Sequence, residues 1–375
     1  MSILIGADLV PTRTNYDIFR LADIDKLVGA KLKEILTNAD YRIFNLEVPL
    51  TDKNAPIDKC GPNLIAPENT INGIKSIGVN LFTLANNHIM DQGAQGLTST
   101  LELLQKNEIS YVGAGKNRSE ASKPYIFMFK DKKIGVYACA EHEFSIAGEN
   151  SCGANPFDAL ETPDNISELK RAVDYVIVLY HGGKEHYRYP SPNLQKVCRK
   201  LVDKGADLIV CQHSHCIGCM EEYNGGTIVY GQGNFLFDHS ESEYWRTSLL
   251  VQIDEDFKIT YIPIVKYEAF VRLAESDKAD DIIEQFNVRS EEIKLDGFID
   301  NKYSAFAQDK IAEYLAAVSA MNNVFVYRAV NKLTNHKFEK WIISRKYNRK
   351  TRLMLQNFVE CEAHRELMLK GLNNG

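Results

Sequence analysis

Leu208-Ile209-Val210-Cys211-Gln212-His213-Ser214-His215 is a short, unbroken apolar run that ends abruptly in two imidazoles. A run of this length without polar alternation is what a strand buried on both faces looks like. The same figure occurs four more times. Ile3-Leu4-Ile5-Gly6-Ala7 leads to Asp8, and Ile43-Phe44-Asn45-Leu46 leads to Glu47. Leu81-Phe82-Thr83-Leu84-Ala85 leads to Asn86-Asn87-His88, and Val176-Ile177-Val178-Leu179-Tyr180 leads to His181. If these strands are parallel neighbours, all five polar ends emerge at one edge of a sheet, where open α/β folds bind their ligands.

Outward from these runs, the first 265 residues alternate apolar segments with helix-like stretches, the pattern of an α/β fold. Strands are expected at Ile3–Ile5, Tyr41–Asn45, Val79–Leu84, Ile134–Cys139, Tyr175–Tyr180 and Asp207–Cys211. Helices are expected at Asp23–Asn38, Gly96–Asn107 and Pro192–Lys204, the last with Leu194, Val197, Leu201 and Val202 at helical spacing. Gly78 and Gly205 fit helix C-caps that lead straight into strands. Hairpin-like strands follow at Thr227–Tyr230, Ser248–Ile253 and Lys258–Ile262. Residues 270–300 read as a linker or an exposed helix pair. From Ser304 to Gly371 glycine and proline are absent, and Ile311, Leu315, Val318 and Phe325 recur at helical intervals. The expected division is therefore 1–268 and 269–375, the second part a helical C-terminal domain.

Composition narrows the class. Of the 375 residues 45% are hydrophobic and 25% charged, ordinary for a globular protein. No run approaches the roughly 20 apolar residues that cross a bilayer. Met1–Gly6 enters a strand without a basic n-region, so no secretory signal is expected, and eight Cys are read as reduced thiols in a cytoplasmic protein. Residues 301–375 carry 13 Lys and Arg against 6 Asp and Glu, while the preceding 300 carry 31 against 44. The acidic body and basic tail point to two units with different partners. The basic run Lys337, Lys340, Arg345, Lys346, Arg349, Lys350 and Arg352 reads as the solvated face of an amphipathic helix. An anionic-polymer, membrane or RNA face is the rarer reading.

A divalent ion needs several preorganised donors to replace its hydration. Asp8, Glu47, Asn87, His181, His213 and His215 offer six, enough for two ions sharing one carboxylate, with Glu47 as the shared group. Imidazole with carboxylate and amide oxygen suits Mn, Fe or Zn better than Ca. His88, next to Asn87, is placed to act as a general acid or oxyanion stabiliser. Taken singly, each of these His is more often an ordinary core or surface residue. Recurrence at five strand ends is what lifts the set. Glu141-His142-Glu143 follows a further apolar run and stands evenly between lining the pocket and a solvated loop. Cys211, Cys216 and Cys219 bracket the His pair but read as buried thiols rather than as a metal site.

The segments Asn45-Leu46-Glu47-Val48-Pro49-Leu50-Thr51 and Leu84-Ala85-Asn86-Asn87-His88-Ile89-Met90-Asp91-Gln92-Gly93 resemble the capsule-synthesis CapA family. So do Gly113-Ala114-Gly115, His181-Gly182-Gly183-Lys184-Glu185, Gln212-His213-Ser214-His215 and Tyr230-Gly231-Gln232-Gly233-Asn234-Phe235-Leu236-Phe237-Asp238. This family is a branch of the calcineurin-like metallophosphatases linked to poly-γ-glutamate capsules. The resemblance spans residues 1 to about 240. It implies a metallophosphatase-like four-layer α/β/β/α sandwich holding one or two divalent metal ions, with His88 and Glu185 as catalytic residues. Asn86, Asn234 and Asp238 are implied for substrate binding. The implied function is a metal-dependent hydrolase of capsule poly-γ-glutamate or exopolysaccharide synthesis using a two-metal-activated water. The substrate is an anionic small molecule or polymer, and the basic C-terminus is left for oligomer or partner contacts. The alternative is a non-catalytic scaffold binding an anionic polymer in a degenerate pocket. Two departures favour that alternative: the superfamily's Asp-x-His is here Asp8-Leu9-Val10, and Ala7 replaces the usual glycine.

Overall fold

The protein is described by a computed structural model covering residues 1–237, 242–267, 269–321 and 324–372. It divides into two compact units, Met1–Ile299 and Asp300–Gly375. In chain order the first holds β1 (Ser2–Val10), α1 (Tyr16–Arg20), α2 (Ile24–Asn38), β2 (Tyr41–Leu46), α3 (Ile71–Ile77), β3 (Leu81–Thr83), α4 (Gly93–Lys106), β4 (Ser110–Val112), β5 (Ala114–Gly115), α5 (Arg118–Ala121), β6 (Tyr125–Phe129), β7 (Lys132–Ala140) and β8 (Gly153–Ala154). It continues with α6 (Glu161–Ala172), β9 (Tyr175–His181), α7 (Pro192–Asp203), β10 (Leu208–Gln212), β11 (Met220–Tyr223), β12 (Gly226–Val229), β13 (Asn234–Phe237), α8 (Glu243–Arg246), β14 (Thr247–Asp254), β15 (Ile259–Tyr267), β16 (Phe270–Leu273) and α9 (Ser276–Glu292).

The strands form two large sheets. One runs β16-β15-β14-β1-β2-β3-β4 with β13 also paired to β1, and the other runs β11-β12-β10-β9-β7-β6. In the first, β1 to β4 are parallel out to one edge and β14, β15 and β16 antiparallel on the other side; in the second, parallel β7, β9, β10 and β12 lie between antiparallel β6 and β11. Side chains alternate between two destinations along each central strand. Ile3, Ile5, Ile43 and Leu81 meet Ile134, Val136, Ile177, Leu179, Leu208 and Val210 in a core between the sheets. Leu4, Phe44 and Phe82 instead pack beneath Leu27, Leu32 and Leu36 of α2 and Ile74 of α3. On the far side Tyr137, Val176, Val178 and Ile209 pack with Ile166 of α6 and Leu194, Cys198 and Leu201 of α7. Three stacked cores make four layers, α/β/β/α, as expected. Burial on both faces is why the strands read as continuous apolar runs, each fully buried Leu or Ile contributing about 1.5–3 kcal/mol.

Local chemistry sets several element ends. Asp23 caps α2 by accepting from the Lys26 amide at 3.0 Å, and Ser191 caps α7, which starts on Pro192, by accepting from Leu194. Gly78 closes α3 at φ 79°, in the left-handed region. The expected helix Asp23–Asn38 is not continuous: Gly29 sits at φ 73° and breaks it. Arg272 crosses at that break and donates to the Leu27 and Lys26 carbonyls, at 3.1 and 3.0 Å. All eight cysteines are free, with Cys211, Cys216 and Cys219 buried.

The first unit continues past the change of sequence character at residue 268. Phe270–Leu273 adds an edge strand, and α9 buries Ile282 and Phe286 with Leu249 and Ile217. A strand and a packed helix therefore stand where a linker or an exposed helix pair was expected. The second unit begins within α10 (Phe298–Val318) and holds α11 (Phe325–Leu333), α12 (Lys337–Lys346), α13 (Arg349–Glu360) and α14 (Glu362–Leu372). Its small core gathers Ala312, Leu315, Ala316, Tyr327, Ile343 and Tyr347, and Tyr327 donates to Glu339 at 2.8 Å. The basic run falls on two helices, α12 and α13, separated by the Asn348 cap.

Candidate metal centre

The five polar strand ends come from two sheets rather than from one: Asp8 lies near the end of β1 and Glu47 and Asn87 follow β2 and β3, while His181 ends β9 and His213 and His215 follow β10. Parallel strands in each sheet end at the same side, so the two C-terminal edges face a common volume. At Asp8 the register of β1 with both β2 and β13 shifts, and its neighbour changes from β14 to β13. That irregularity turns the carboxylate off the strand axis. Gly6 just before it is required by packing, since a Cβ there would lie 1.9 Å from the Phe44 ring.

Two overlapping triads result. Ligand atoms of Glu47, His181 and His213 lie within 4.8 Å of one another, as do those of Asp8, Glu47 and His215. Glu47 belongs to both. His181 Nε2 is 3.3 Å from Glu47 Oε1, 3.1 Å from Asn87 Oδ1 and 3.2 Å from His213 Nδ1. In the second triad His215 Nδ1 lies 3.5 Å from Asp8 Oδ2 and 2.8 Å from Asn234 Oδ1. All the triad residues are buried. His213 and His215 both hold positive φ, 83° and 53°, a conformation costing about 1–3 kcal/mol that the surrounding structure must impose.

The electrostatics point the same way. Burial pushes the Asp8 carboxyl up, but His215, His181 and the amide of Asn45 together hold it below 3.8. Burial pushes His181 down, and Glu47 overrides it, raising the imidazole above 6.5. His215, likewise opposed by burial, is raised to about 9 by the Asp8 carboxylate 3.5 Å away and by Glu47. Burial and the surrounding cationic groups hold His213 well below 6.5. Two basic imidazoles beside two carboxylates form the charge balance that a bound cation takes over. Asp8 Oδ2 and both oxygens of Glu47 are buried without a hydrogen-bond partner among the described residues. Orphaned carboxylate oxygens beside imidazole nitrogens fit a divalent-cation donor set.

Of the other expected site residues, Asn86 and Asn234 adjoin the triads and Glu185 does not. Asn86 is buried and committed to the framework, donating to Asn45 Oδ1 and the Leu46 carbonyl and accepting from the His88 amide. Asn234 meets His215 through Oδ1, while its Nδ2 is buried without a hydrogen-bond partner among the described residues. Glu185 is exposed on the loop after β9. The acid that reaches the cluster is Glu143, which accepts from Asn87 Nδ2 at 3.3 Å and stands 3.9 Å from His213 Nε2. Asp238 lies outside the described residues.

Sequence reasoning missed three contributors. Asn45 Nδ2 donates to Asp8 Oδ1 at 2.8 Å and sits 3.3 Å from His181 Nδ1, tying the two sheets' ligands together. Asp91 Oδ2 lies 2.6 Å from His88 Nδ1, and Lys59 Nζ donates to the same carboxylate through Oδ1. The i, i+3 spacing of His88 and Asp91 in one turn was the available signal. Lys59 had none.

The fold and site define a four-layer α/β/β/α protein with a buried set of cation donors on aligned strand ends. Residues 2–239 match the family described as bacterial capsule synthesis protein PGA_cap, and the chain belongs to that family. It is 32% identical over 228 residues to the capsule biosynthesis protein CapA of Bacillus anthracis, covering 58% of this chain and 55% of that protein. It is also 32% identical over 229 residues to the PGA biosynthesis protein CapA of Bacillus subtilis, covering 59% of each. The chain thus spans just over half the length of these relatives. Among solved structures, a novel phosphatase from Mycoplasma pneumoniae superposes with TM-score 0.44 at 15% identity, covering 71% of this chain and 93% of that one. Among the described residues no helix is long and apolar enough to cross a membrane.

Proposed function

We propose that this chain is a metal-dependent hydrolase acting in poly-γ-glutamate or exopolysaccharide capsule synthesis, on a phosphoester, γ-glutamyl or glycan linkage. The observation that carries the reading is Glu47, fully buried, common to both triads, and offset among the described residues only by the His181 imidazole 3.3 Å from Oε1. Burying a carboxylate that no hydrogen bond satisfies is costly, and cations on either side of it would offset that cost. Glu47, His181 and His213, with Asn87, would hold one divalent ion, and Asp8, Glu47 and His215 the other. The donor mixture suits Mn, Fe or Zn. Such ions, when bound, lower the pKa of water and stabilise negative charge developing on the substrate.

The chain's own residues supply the rest. Asp91 engages Nδ1 of His88, which leaves Nε2 as the nitrogen turned to other partners. Lys59, its side chain only 3% exposed, offsets the Asp91 charge and fixes its rotamer. His88 then delivers a proton to the leaving group from an imidazole that cannot rotate away. The free thiols support a reducing, cytoplasmic setting. Turnover of phosphomonoesters, phosphodiesters and γ-glutamyl oligomers with added Mn, lost on chelation and restored by metal, is the expected result. No turnover and no bound metal would remove the reading.

A second reading keeps the capsule link without turnover. Val10, 1% exposed, occupies the position where the superfamily's second imidazole stands, so the second triad has one donor fewer. Polymer binding that persists in chelator and in His88→Ala supports this scaffold role; binding abolished by chelation counts against it.

A further inference from the structure

Beside the metal centre lies a second cavity, of about 620 Å³, framed by α8, β15 and α9. Among the described residues its wall carries five cationic side chains, Arg188, Arg246, Lys266, Lys278 and Arg289, against two carboxylates, Glu243 and Asp281. The carboxylates meet only part of that charge. Glu243 lies 3.4 Å from Arg188, and Asp281 lies 3.0 Å from Lys278.

Arg289 is the informative member. It is 8% exposed, and among the described residues it makes one hydrogen bond, from Nε to the Gly218 carbonyl at 2.7 Å. It meets no carboxylate among the described residues. After burial, the strongest influence on its guanidinium is another cation, Arg188. A buried guanidinium whose charged neighbour has the same sign is costly unless an anion sits between them. Arg188 is held in place by donating to the Ile217 carbonyl at 3.0 Å and by lying over the Tyr244 ring. Arg289 is therefore anchored through Nε, with no hydrogen bond from its terminal nitrogens among the described residues, and Arg188, tied to Ile217 and Glu243, lines the same cavity; a guanidinium fork suits a carboxylate or phosphate group.

The cavity is joined to the metal centre by short connections. One loop carries His213 and His215 at its start and the Ile217 and Gly218 carbonyls that anchor the arginines at its end. Trp245 stacks on His215 at 4.6 Å, and Lys266 Nζ lies 5.3 Å from the centre of the same indole. An anion held here is thus one wall away from a group held by the triads. We propose that this cavity is an oxyanion subsite that takes a carboxylate or phosphate group of an anionic chain, neighbouring the linkage held at the metal centre. The inference rests on the polymer substrate of the proposed function and deepens it: the substrate is read by at least two charges, not one.

Equilibrium binding of a short γ-linked glutamate oligomer and of inorganic phosphate tests it on the full chain, with and without chelator. Arg289→Met removes the buried guanidinium. Arg246→Gln with Lys278→Gln alters only exposed positions, which keeps the test valid if Arg289→Met fails to fold. Each charge-assisted hydrogen bond lost should weaken binding about tenfold or more. Binding that survives chelation and falls in these variants is the expected result, and the probe that binds tells carboxylate from phosphate. Failure of both probes to bind overturns the proposal, as does equal binding by the variants or binding abolished by chelation alone. Because no turnover is read, an inactive protein that still binds in this pattern keeps the subsite while removing the hydrolase.

Discussion

Glu47→Gln should erase all metal-dependent stabilisation at once, because Glu47 is the only residue common to both triads. A ligand that binds only the folded state adds RT ln(1 + [L]/Kd), about 2.7 kcal/mol per site at a hundredfold excess over Kd. For a unit as large as Met1–Ile299, each kcal/mol moves the melting temperature by about 2 °C. One occupied site is then worth about 5 °C and two about 10 °C. His213→Ala belongs to one triad and His215→Ala to the other, so each should retain about half of the increment. Glu47→Gln should retain none, although amide and carboxylate have the same shape. Differential scanning calorimetry of each variant in chelator and in excess Mn or Zn gives the four increments directly. A Glu47→Gln protein that keeps the wild-type increment would refute the shared-carboxylate geometry. So would His213→Ala and His215→Ala each losing everything.

Three further expectations follow from other parts of the molecule. His88→Ala should lower kcat by roughly 10²–10⁴ with metal content unchanged, and Asp91→Asn should lower it less while altering the pH–rate profile, both measured by steady-state kinetics. Gly6→Ala, forced against Phe44, should cost about 1–3 kcal/mol in urea unfolding; a neutral result would mean the sheet shifts freely at β1. Arg118 holds the Asp158 carboxyl below 3.8, at a largely solvated site, so Arg118→Met should cost no more than about 1 kcal/mol at neutral pH. A depressed folded pKa stabilises above the unfolded value, so this difference should vanish as pH falls below 3.8 through the folded value, measured by denaturation at stepped pH.

The central strands were legible because burial on both faces leaves the runs almost wholly apolar, with Asn45 and Thr83 as exceptions. Their distribution over two sheets was not. Ile43 and Ile177 have the same local pattern, and only the helices that each sheet packs against distinguish them. Residues 234–237 were visible as a motif but not as a strand, since β13 is short and pairs only with the end of β1. α9 was obscured by its charge, with Ile282 and Phe286 the few side chains that decide its packing. In the site, ligand types at strand ends could be read one by one. Hydrogen-bond partners could not: Asn45 looks like an interior strand residue, and Lys59 comes from a loop 32 positions before Asp91.

The account rests on cations seated on either side of Glu47. Anomalous diffraction at the Mn, Fe and Zn edges, from crystals grown with those metals, tests it most directly. Two peaks about 3.5–4 Å apart, one among Glu47, Asn87, His181 and His213 and one among Asp8, Glu47 and His215, are expected. Metal bound only elsewhere, or these side chains closed on one another with no peak between them, would contradict it.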